Sequence, residues 1–125
     1  QVSIVIPVHN EADNIAPLLQ EIVEVLKGAE AYEIIVVEDG SNDQTASVLI
    51  KSLKEIKALR ILQHEKSCGQ STAIYSGVKA AKYPVIATLD GDGQNDPADI
   101  PAMIDKLAEG YDLVLAGESI GMTRG

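Results

Sequence analysis

The sequence predicts an α/β fold in which an open, mostly parallel sheet of three-layer architecture carries helices on both faces. Three observations lead to this prediction. Strand-like apolar segments alternate with segments of helical period, giving five strands and four helices. The strand-like segments are apolar almost throughout, as in parallel strands buried on both faces. Polar loops, several of them containing glycine, follow most of the predicted strands.

The first half of the chain contains two strand–helix units. Residues 2–8 form an apolar, β-branched strand that we expect to end near Pro7. Helical spacing of leucines and isoleucines then extends over 13–27, with Gly28 as the expected stop. A second strand is predicted at Glu33–Val37, a polar turn at 38–43 and a second helix at 46–56.

The second half repeats the alternation. The predicted elements are a strand at 59–63, a loop at 64–69, a helix through 74–81, a strand at 85–89, a loop at 90–97, a helix over 100–107 and a strand at 113–116. No internal repeat or linker interrupts the series, so residues 1–125 are expected to belong to one domain.

Composition excludes several classes of function. Nineteen acidic and ten basic residues give a net charge of −9, which disfavours nucleic acid as a partner. A single cysteine, Cys68, excludes an internal disulfide and a zinc cluster built from cysteines, and fits a reducing, cytoplasmic compartment. No apolar stretch approaches the roughly 20 residues that span a bilayer. Because the chain starts at Gln1 inside a strand, we expect it to be part of a longer protein.

The loops after the strands should carry the chemistry, because ligands of open parallel sheets bind at the carboxyl ends of the strands. Asp90 and Asp92 are the most informative pair. Held about 4 Å apart they would repel by about 1 kcal/mol in water and about 4 kcal/mol near a protein surface, and a cation removes that penalty. Carboxylate oxygens suit Mg²⁺ or Mn²⁺, and Gln94 offers another oxygen. The alternative is a solvated turn rich in Asp and Gly.

The other rim residues also have two interpretations. Glu38 and Asp39 either cap the following helix or bind a ribose or a nucleobase. His9 and His64 are both expected to line the crevice or to pack, and neither is expected to bind a metal. No histidine stands beside Cys68 in sequence, so we expect a small loop residue there and no reactive thiol.

Four segments together resemble family 2 glycosyltransferases, and they occur in the expected order over nearly the whole chain. These segments are Pro7–Glu11, Val37–Thr45, Gly69–Ser71 and Leu89–Pro97. The loop Asp90–Pro97 and the Gly69-Gln70-Ser71 stretch are most similar to polyprenyl-phosphate sugar transferases of the dolichol-phosphate mannosyltransferase type. The chain departs from the common family pattern at Glu38, where Asp is usual, and at Ser67, where Asn is usual.

The resemblance implies a GT-A fold, a nucleotide-diphosphate sugar donor, Mg²⁺ or Mn²⁺ and inversion at the anomeric carbon. It implies that Asp90, Asp92 and Gln94 hold the metal. The residues that would border the donor are Pro7, His9, Glu11, Glu38, Asp39, Gly40, Ser41, Gly69 and Asp90.

The acceptor implied by the resemblance is a polyprenyl phosphate, with a glycan as the alternative. The acceptor-binding part and the catalytic base are expected beyond Gly125, as is any contact with the cytoplasmic face of a membrane. Two other functions stay open at this point. One is a donor-binding module without catalysis, and the other is a phosphorelay receiver-like domain, although the acidic pair follows the second strand instead of the first.

Overall fold

The computed structural model describes residues 2–27 and 31–89 and contains four strands and three helices in strict alternation. In chain order they are β1 (Val2–Val8), α1 (Ile15–Leu26), β2 (Tyr32–Asp39), α2 (Thr45–Glu55), β3 (Leu59–His64), α3 (Gln70–Ala80) and β4 (Val85–Thr88).

The four strands form one parallel sheet in the order β3-β2-β1-β4. Val8 pairs with Glu38 at the end of β1, and Asp39 pairs with His64 at the end of β3. β4 is shorter, and its last residue, Thr88, pairs with Val5. The polar residues that end β2 and β3 therefore lie at the same carboxyl edge of the sheet.

Side chains alternate between two hydrophobic cores because successive strand residues point to opposite faces. Even-numbered residues of β1 and β2 pack against α1 and α2, with Leu19 and Leu49 among the buried helix residues. Odd-numbered residues pack against α3, where a β-carbon added to Gly77 would lie only 2.4 Å from Val5 Cγ1. A glycine in α3 thus allows this helix to approach the sheet closely.

The predicted open parallel sheet with helices on both faces is confirmed. Two strands, however, end later than predicted, at polar residues. Glu38 and Asp39 were expected to begin a loop, and His64 to begin another, but these three residues end β2 and β3. Backbone ladder bonds continue through them whatever their side chains. The predicted stop at Gly28, the loop at 90–97, the fourth helix and the fifth strand lie outside the described residues.

Within residues 2–27 and 31–89, none of the helices has the length and apolar character needed to cross a membrane.

Candidate functional site

The strand order places the binding crevice of the sheet between β1 and β4. The chain passes from β1 to β2 on one side of β1, and from β3 it crosses to β4 on the other side. Ligands of open α/β sheets bind outside the carboxyl ends of strands at such a reversal of strand order. At this reversal the described residues are Val8 at the end of β1, His9 after it, and Leu89 after β4, whose N–H donates to the Val5 carbonyl 3.1 Å away.

Asn10 connects the loop after β1 to the loop after β2. Its Oδ1 accepts hydrogen bonds from the N–H groups of Asn42, at 2.7 Å, and Asp43, at 3.3 Å, while its own N–H donates to Ser41 Oγ at 2.9 Å. The φ angle of Asn10 is +55°, a left-handed conformation that asparagine adopts more readily than most residues. This one side chain therefore holds two site loops at a fixed spacing.

A second connection joins the starts of α1 and α2. The Glu11 N–H donates to Thr45 Oγ1 at 2.9 Å, and Asp43 Oδ1 accepts from both the Thr45 hydroxyl, at 2.5 Å, and the Thr45 N–H, at 2.9 Å. These bonds from the Thr45 side chain and backbone hold the pKa of Asp43 below its usual value. Asp43 therefore serves the loop as a hydrogen-bond acceptor in its charged form.

His9 lies at the exposed rim with one ring nitrogen fixed. Its Nδ1 is 2.7 Å from the Asp39 carbonyl oxygen, so this nitrogen carries the proton and donates it. Nε2 is then the acceptor of the ring, and Asn10 Nδ2 donates to it from 3.3 Å away. His9 thus holds the ends of β1 and β2 together and presents an acceptor nitrogen at the rim.

Asp39 is the most highly connected side chain of the site, and it is only 4% exposed. Its Oδ1 accepts from His64 Nδ1 at 2.8 Å and from the Cys68 N–H at 2.9 Å. Its Oδ2 accepts from the Gly69 N–H at 3.0 Å and from Ser67 Oγ at 3.1 Å. Burial alone would raise the pKa of Asp39, but these four hydrogen bonds lower it below its usual value.

Glu38 points to the opposite face of the sheet from Asp39. Its Oε1 accepts the Ser41 N–H at 2.6 Å, and its Oε2 lies 3.4 Å from Gln63 Nε2. This arrangement closes the turn through Gly40, whose φ is +65°. A β-carbon on Gly40 would lie 2.4 Å from the Ser67 backbone nitrogen, so the turn also lies directly against the loop after β3.

The structure brings most of the sequence-predicted residues to one edge. Hydrogen bonds join residues from the ends of β1 and β2 there, and Asp39 connects Gly69 to them. The residues at this edge are His9, Glu11, Glu38, Asp39, Gly40, Ser41 and Gly69. Pro7 is buried in β1 just below this edge. Asp90, Asp92 and Gln94 lie outside the described residues.

Two residues with well-defined positions at this edge were missed by the sequence argument. Asn10 was given no role of its own, and His64 was expected to line the crevice or to pack, without a hydrogen bond to Asp39. Cys68 is an exposed loop residue, as expected. The fold nevertheless brings a histidine near it, because the potential ligand atoms of His64, Cys68 and Asp39 all lie within 4.8 Å of one another. Pairing of Asp39 with His64 in the sheet creates this proximity, and sequence spacing alone gives no sign of it.

Comparison with known proteins gives a consistent result. Residues 3–118 match the model of the family described as "Glycosyl transferase family 2". The dodecaprenyl-phosphate galacturonate synthase of Rhizobium johnstonii is 38% identical over 109 residues, which are 86% of this chain and 32% of that protein. The undecaprenyl-phosphate 4-deoxy-4-formamido-L-arabinose transferase of Edwardsiella ictaluri is 35% identical over 116 residues, which are 90% of this chain and 35% of that protein. The chain thus spans about a third of the length of these relatives.

Solved structures agree on the fold. A mannosyltransferase from Pyrobaculum calidifontis in complex with GDP-Man and Mn²⁺ superposes with a TM-score of 0.77 at 23% identity, over 90% of this chain and 33% of that one. S. aureus TarS in complex with UDP-GlcNAc gives a TM-score of 0.73 at 22% identity, over 87% of this chain and 31% of that one. At this level of identity the likeness concerns the fold, which is of the GT-A type.

Proposed function

This chain belongs to glycosyl transferase family 2, and from that membership we propose that it forms the donor-binding part of an inverting transferase that moves a sugar from a nucleotide diphosphate to a polyprenyl phosphate. The observation that carries the proposal is the joined carboxyl edge. Loops after β1, β2 and β3 are held together there by His9, Asn10 and Asp39, next to the reversal of strand order. Open α/β sheets bind nucleotides outside the carboxyl ends of their strands at such a reversal of strand order, which is where these joined loops lie.

The nucleoside is proposed to lie against the β1 and β2 ends of the rim. His9 Nε2 would accept from the nucleoside in place of Asn10 Nδ2, and the Glu11 carboxylate, which accepts from Asn14 through Oε2, would offer Oε1. Pro7, Gly40 and Ser41 would shape the same wall, and Glu38 would hold the turn through the Ser41 N–H. Asp39 and Gly69 would fix the neighbouring loop, with Asp90 closing the crevice from the β4 side.

A divalent metal is proposed at the loop after β4. Asp90 and Asp92 would hold Mg²⁺ or Mn²⁺, with Gln94 as a further ligand, and this all-oxygen donor set fits such ions. When bound, the ion would neutralise charge on the departing nucleotide diphosphate. A solved neighbour in fold contains Mn²⁺ together with GDP-Man, which supports this part of the proposal.

The acceptor is proposed from the names of the relatives, which refer to dodecaprenyl and undecaprenyl phosphates. An oxygen of the acceptor phosphate would attack the anomeric carbon, and the bond from that carbon to the diphosphate would break with inversion. A phosphate monoester with a second pKa near 6 is already largely dianionic at neutral pH, so this acceptor needs no strong base. We propose that transfer takes place at the cytoplasmic face of a membrane, where such a lipid carrier is accessible.

Calorimetric titration with GDP and UDP, each with and without Mn²⁺, tests donor binding. We expect binding to require the metal and to weaken at least about 100-fold in Asp92→Ala, since one of two carboxylate ligands is lost. Asp105→Ala removes the same charge outside the loop at 90–97, and its affinity for the nucleotide should equal that of the unchanged chain. Metal-independent binding that Asp92→Ala leaves intact would contradict the proposal.

A donor-binding module without catalysis is the second candidate, because every residue assigned a role above serves the donor or its metal. Transfer of labelled sugar to a polyprenyl phosphate, compared with a glycan acceptor, separates the two. Binding without transfer in the complete protein would select the module. A receiver function is not carried further, because the chain belongs to a glycosyltransferase family.

A further inference from the structure

We propose that Asp39, His64 and Cys68 form a binding site for a zinc ion at the rim, separate from the Mg²⁺ or Mn²⁺ proposed at the loop after β4. The three residues offer a carboxylate oxygen, an imidazole nitrogen and a thiol sulfur, and these ligand atoms lie within 4.8 Å of one another. Zinc accepts these three ligand types. Its bond lengths of about 2.0–2.3 Å place tetrahedral ligands roughly 3.5 Å apart.

The ligands are gathered before any metal arrives. Asp39 Oδ1 accepts both from His64 Nδ1 and from the backbone N–H of Cys68, so a single oxygen fixes one other ligand and the backbone that carries the third. Gly69 and Ser67 hold the second oxygen of Asp39. Zinc would move Asp39 Oδ1 and His64 Nδ1 apart from 2.8 Å to about 3.5 Å. A χ1 change at the exposed Cys68, which releases its thiol from the Lys66 carbonyl 3.3 Å away, would bring the sulfur to the same spacing.

The imidazole has the outer partner that metal-binding histidines commonly have. His64 Nε2 lies 3.0 Å from Ser76 Oγ. When Nδ1 binds the metal, the proton moves to Nε2 and is donated to the Ser76 hydroxyl, which fixes the orientation of the ring. Cys68 loses its thiol proton to solvent when its sulfur binds.

The arrangement also explains how a metal could enter. Asp39 is buried, His64 is half-buried and Cys68 is exposed, so the group runs from the interior to solvent. Three protein ligands leave the fourth position of a tetrahedral site to water. The net charge of −9 favours cation approach, and the nitrogen and sulfur ligands favour zinc over Mg²⁺.

Cobalt(II) is the most selective probe of this site. Cys68 is the only cysteine in the chain, so any sulfur-to-cobalt charge-transfer absorption reports Cys68 alone. Titration of the chelator-treated protein with Co²⁺ should produce this absorption at one metal per chain, and Zn²⁺ should abolish it by displacement. Millimolar Mg²⁺ should not abolish it.

Variants assign the ligands. Cys68→Ala keeps the backbone N–H and should remove the absorption and weaken Zn²⁺ binding at least about 100-fold, whereas Ser76→Ala, which removes only the outer partner, should weaken it about 10- to 100-fold. His64→Gln should lose binding and His9→Gln should retain it, which compares the two histidines of the chain. Because Cys68 is exposed, Cys68→Ala should fold even if His64→Gln does not.

Three results would overturn the inference: no charge-transfer absorption, equal Zn²⁺ affinity in Cys68→Ala, or one metal shared between two chains through their cysteines. None of them bears on the transferase proposal, which is tested by nucleotide binding and by Asp92→Ala.

Discussion

Replacing Asp39 with asparagine should destabilise the fold through one unavoidable loss. Each carboxylate oxygen of Asp39 accepts one backbone N–H, from Cys68 on Oδ1 and from Gly69 on Oδ2. An amide presents one oxygen and one NH₂ group. Whichever way the amide is turned, one of these two N–H groups faces another donor. His64 and Ser67 can adapt by exchanging a donor for an acceptor, but a backbone N–H cannot.

The magnitude follows from this count. The two N–H groups are partly buried against the Asp39 side chain, and a donor left there without an acceptor costs about 1–3 kcal/mol. The remaining bonds also lose the extra strength that a charged acceptor gives them. We expect Asp39→Asn to lower the free energy of unfolding by about 2–4 kcal/mol, a large part of the roughly 5–15 kcal/mol typical of a domain.

Urea unfolding at neutral pH, analysed at constant slope, measures this loss. Asp13→Asn makes the same chemical change at an exposed position and should shift stability by less than about 0.5 kcal/mol. A loss below about 1 kcal/mol in Asp39→Asn would refute the reasoning, because it would mean that the loop after β3 finds other acceptors.

The pH dependence gives the same test a second readout. The pKa of Asp39 is lowered in the folded state. Its stabilising effect is therefore fully present above the unfolded pKa of about 3.9 and is lost as the pH falls through the folded pKa. The difference in stability between the unchanged chain and Asp39→Asn should be constant near neutral pH and should shrink below about pH 4. A difference that grows on acidification would show that the sign is wrong.

Two further substitutions test the packing around the site. Gly40→Ala combines a left-handed backbone with a β-carbon 2.4 Å from a backbone nitrogen, so it should cost about 2–5 kcal/mol. Gly69→Ala has the same strained backbone, but a β-carbon there would have no atom within 4 Å, so this variant should cost about 1–3 kcal/mol. Thermal or urea unfolding of both variants measures the difference. An equal loss of stability in the two would contradict the close approach of the loops after β2 and β3. Glu33→Gln should lower the free energy of unfolding by only about 1 kcal/mol, measured by urea unfolding. The amide oxygen can take the place of Oε2 and accept from both the Ser3 hydroxyl and the Lys82 N–H. The amide NH₂ then faces Arg60, whose side chain is 44% exposed. A loss as large as that of Asp39→Asn would contradict this comparison.

The alternation of strands and helices was predictable because it depends on local patterns. Short, largely apolar segments predicted all four described strands, and helical spacing predicted all three helices. Boundaries failed where polar residues extend a strand, as at Asp39 and His64. Side-chain polarity predicts a loop there, whereas the backbone ladder continues and the two side chains bond to each other across it.

The position of the site was predictable to the level of the sheet edge, and its internal connections were not. Asn10 accepts from residues 42 and 43, and Asp39 accepts from residues 64–69. Contacts between residues about 30 positions apart depend on the register of parallel strands. One sequence does not reveal that register, because continuously apolar strands fit their neighbours in several alignments.

The alternation of side chains along β2 gives its two adjacent acids different structural roles. Glu38 and Asp39 are neighbours in sequence, but the two-residue period of β2 sends Glu38 to the face covered by α1 and α2 and Asp39 to the face covered by α3. Each carboxylate consequently fixes a different loop: Glu38 holds the turn at Ser41, and Asp39 holds the backbone of Cys68 and Gly69. The shared carboxyl edge therefore depends on both acids, through opposite faces of the sheet. The two loops lie against each other at Gly40 and Ser67, and each is held by a different acid.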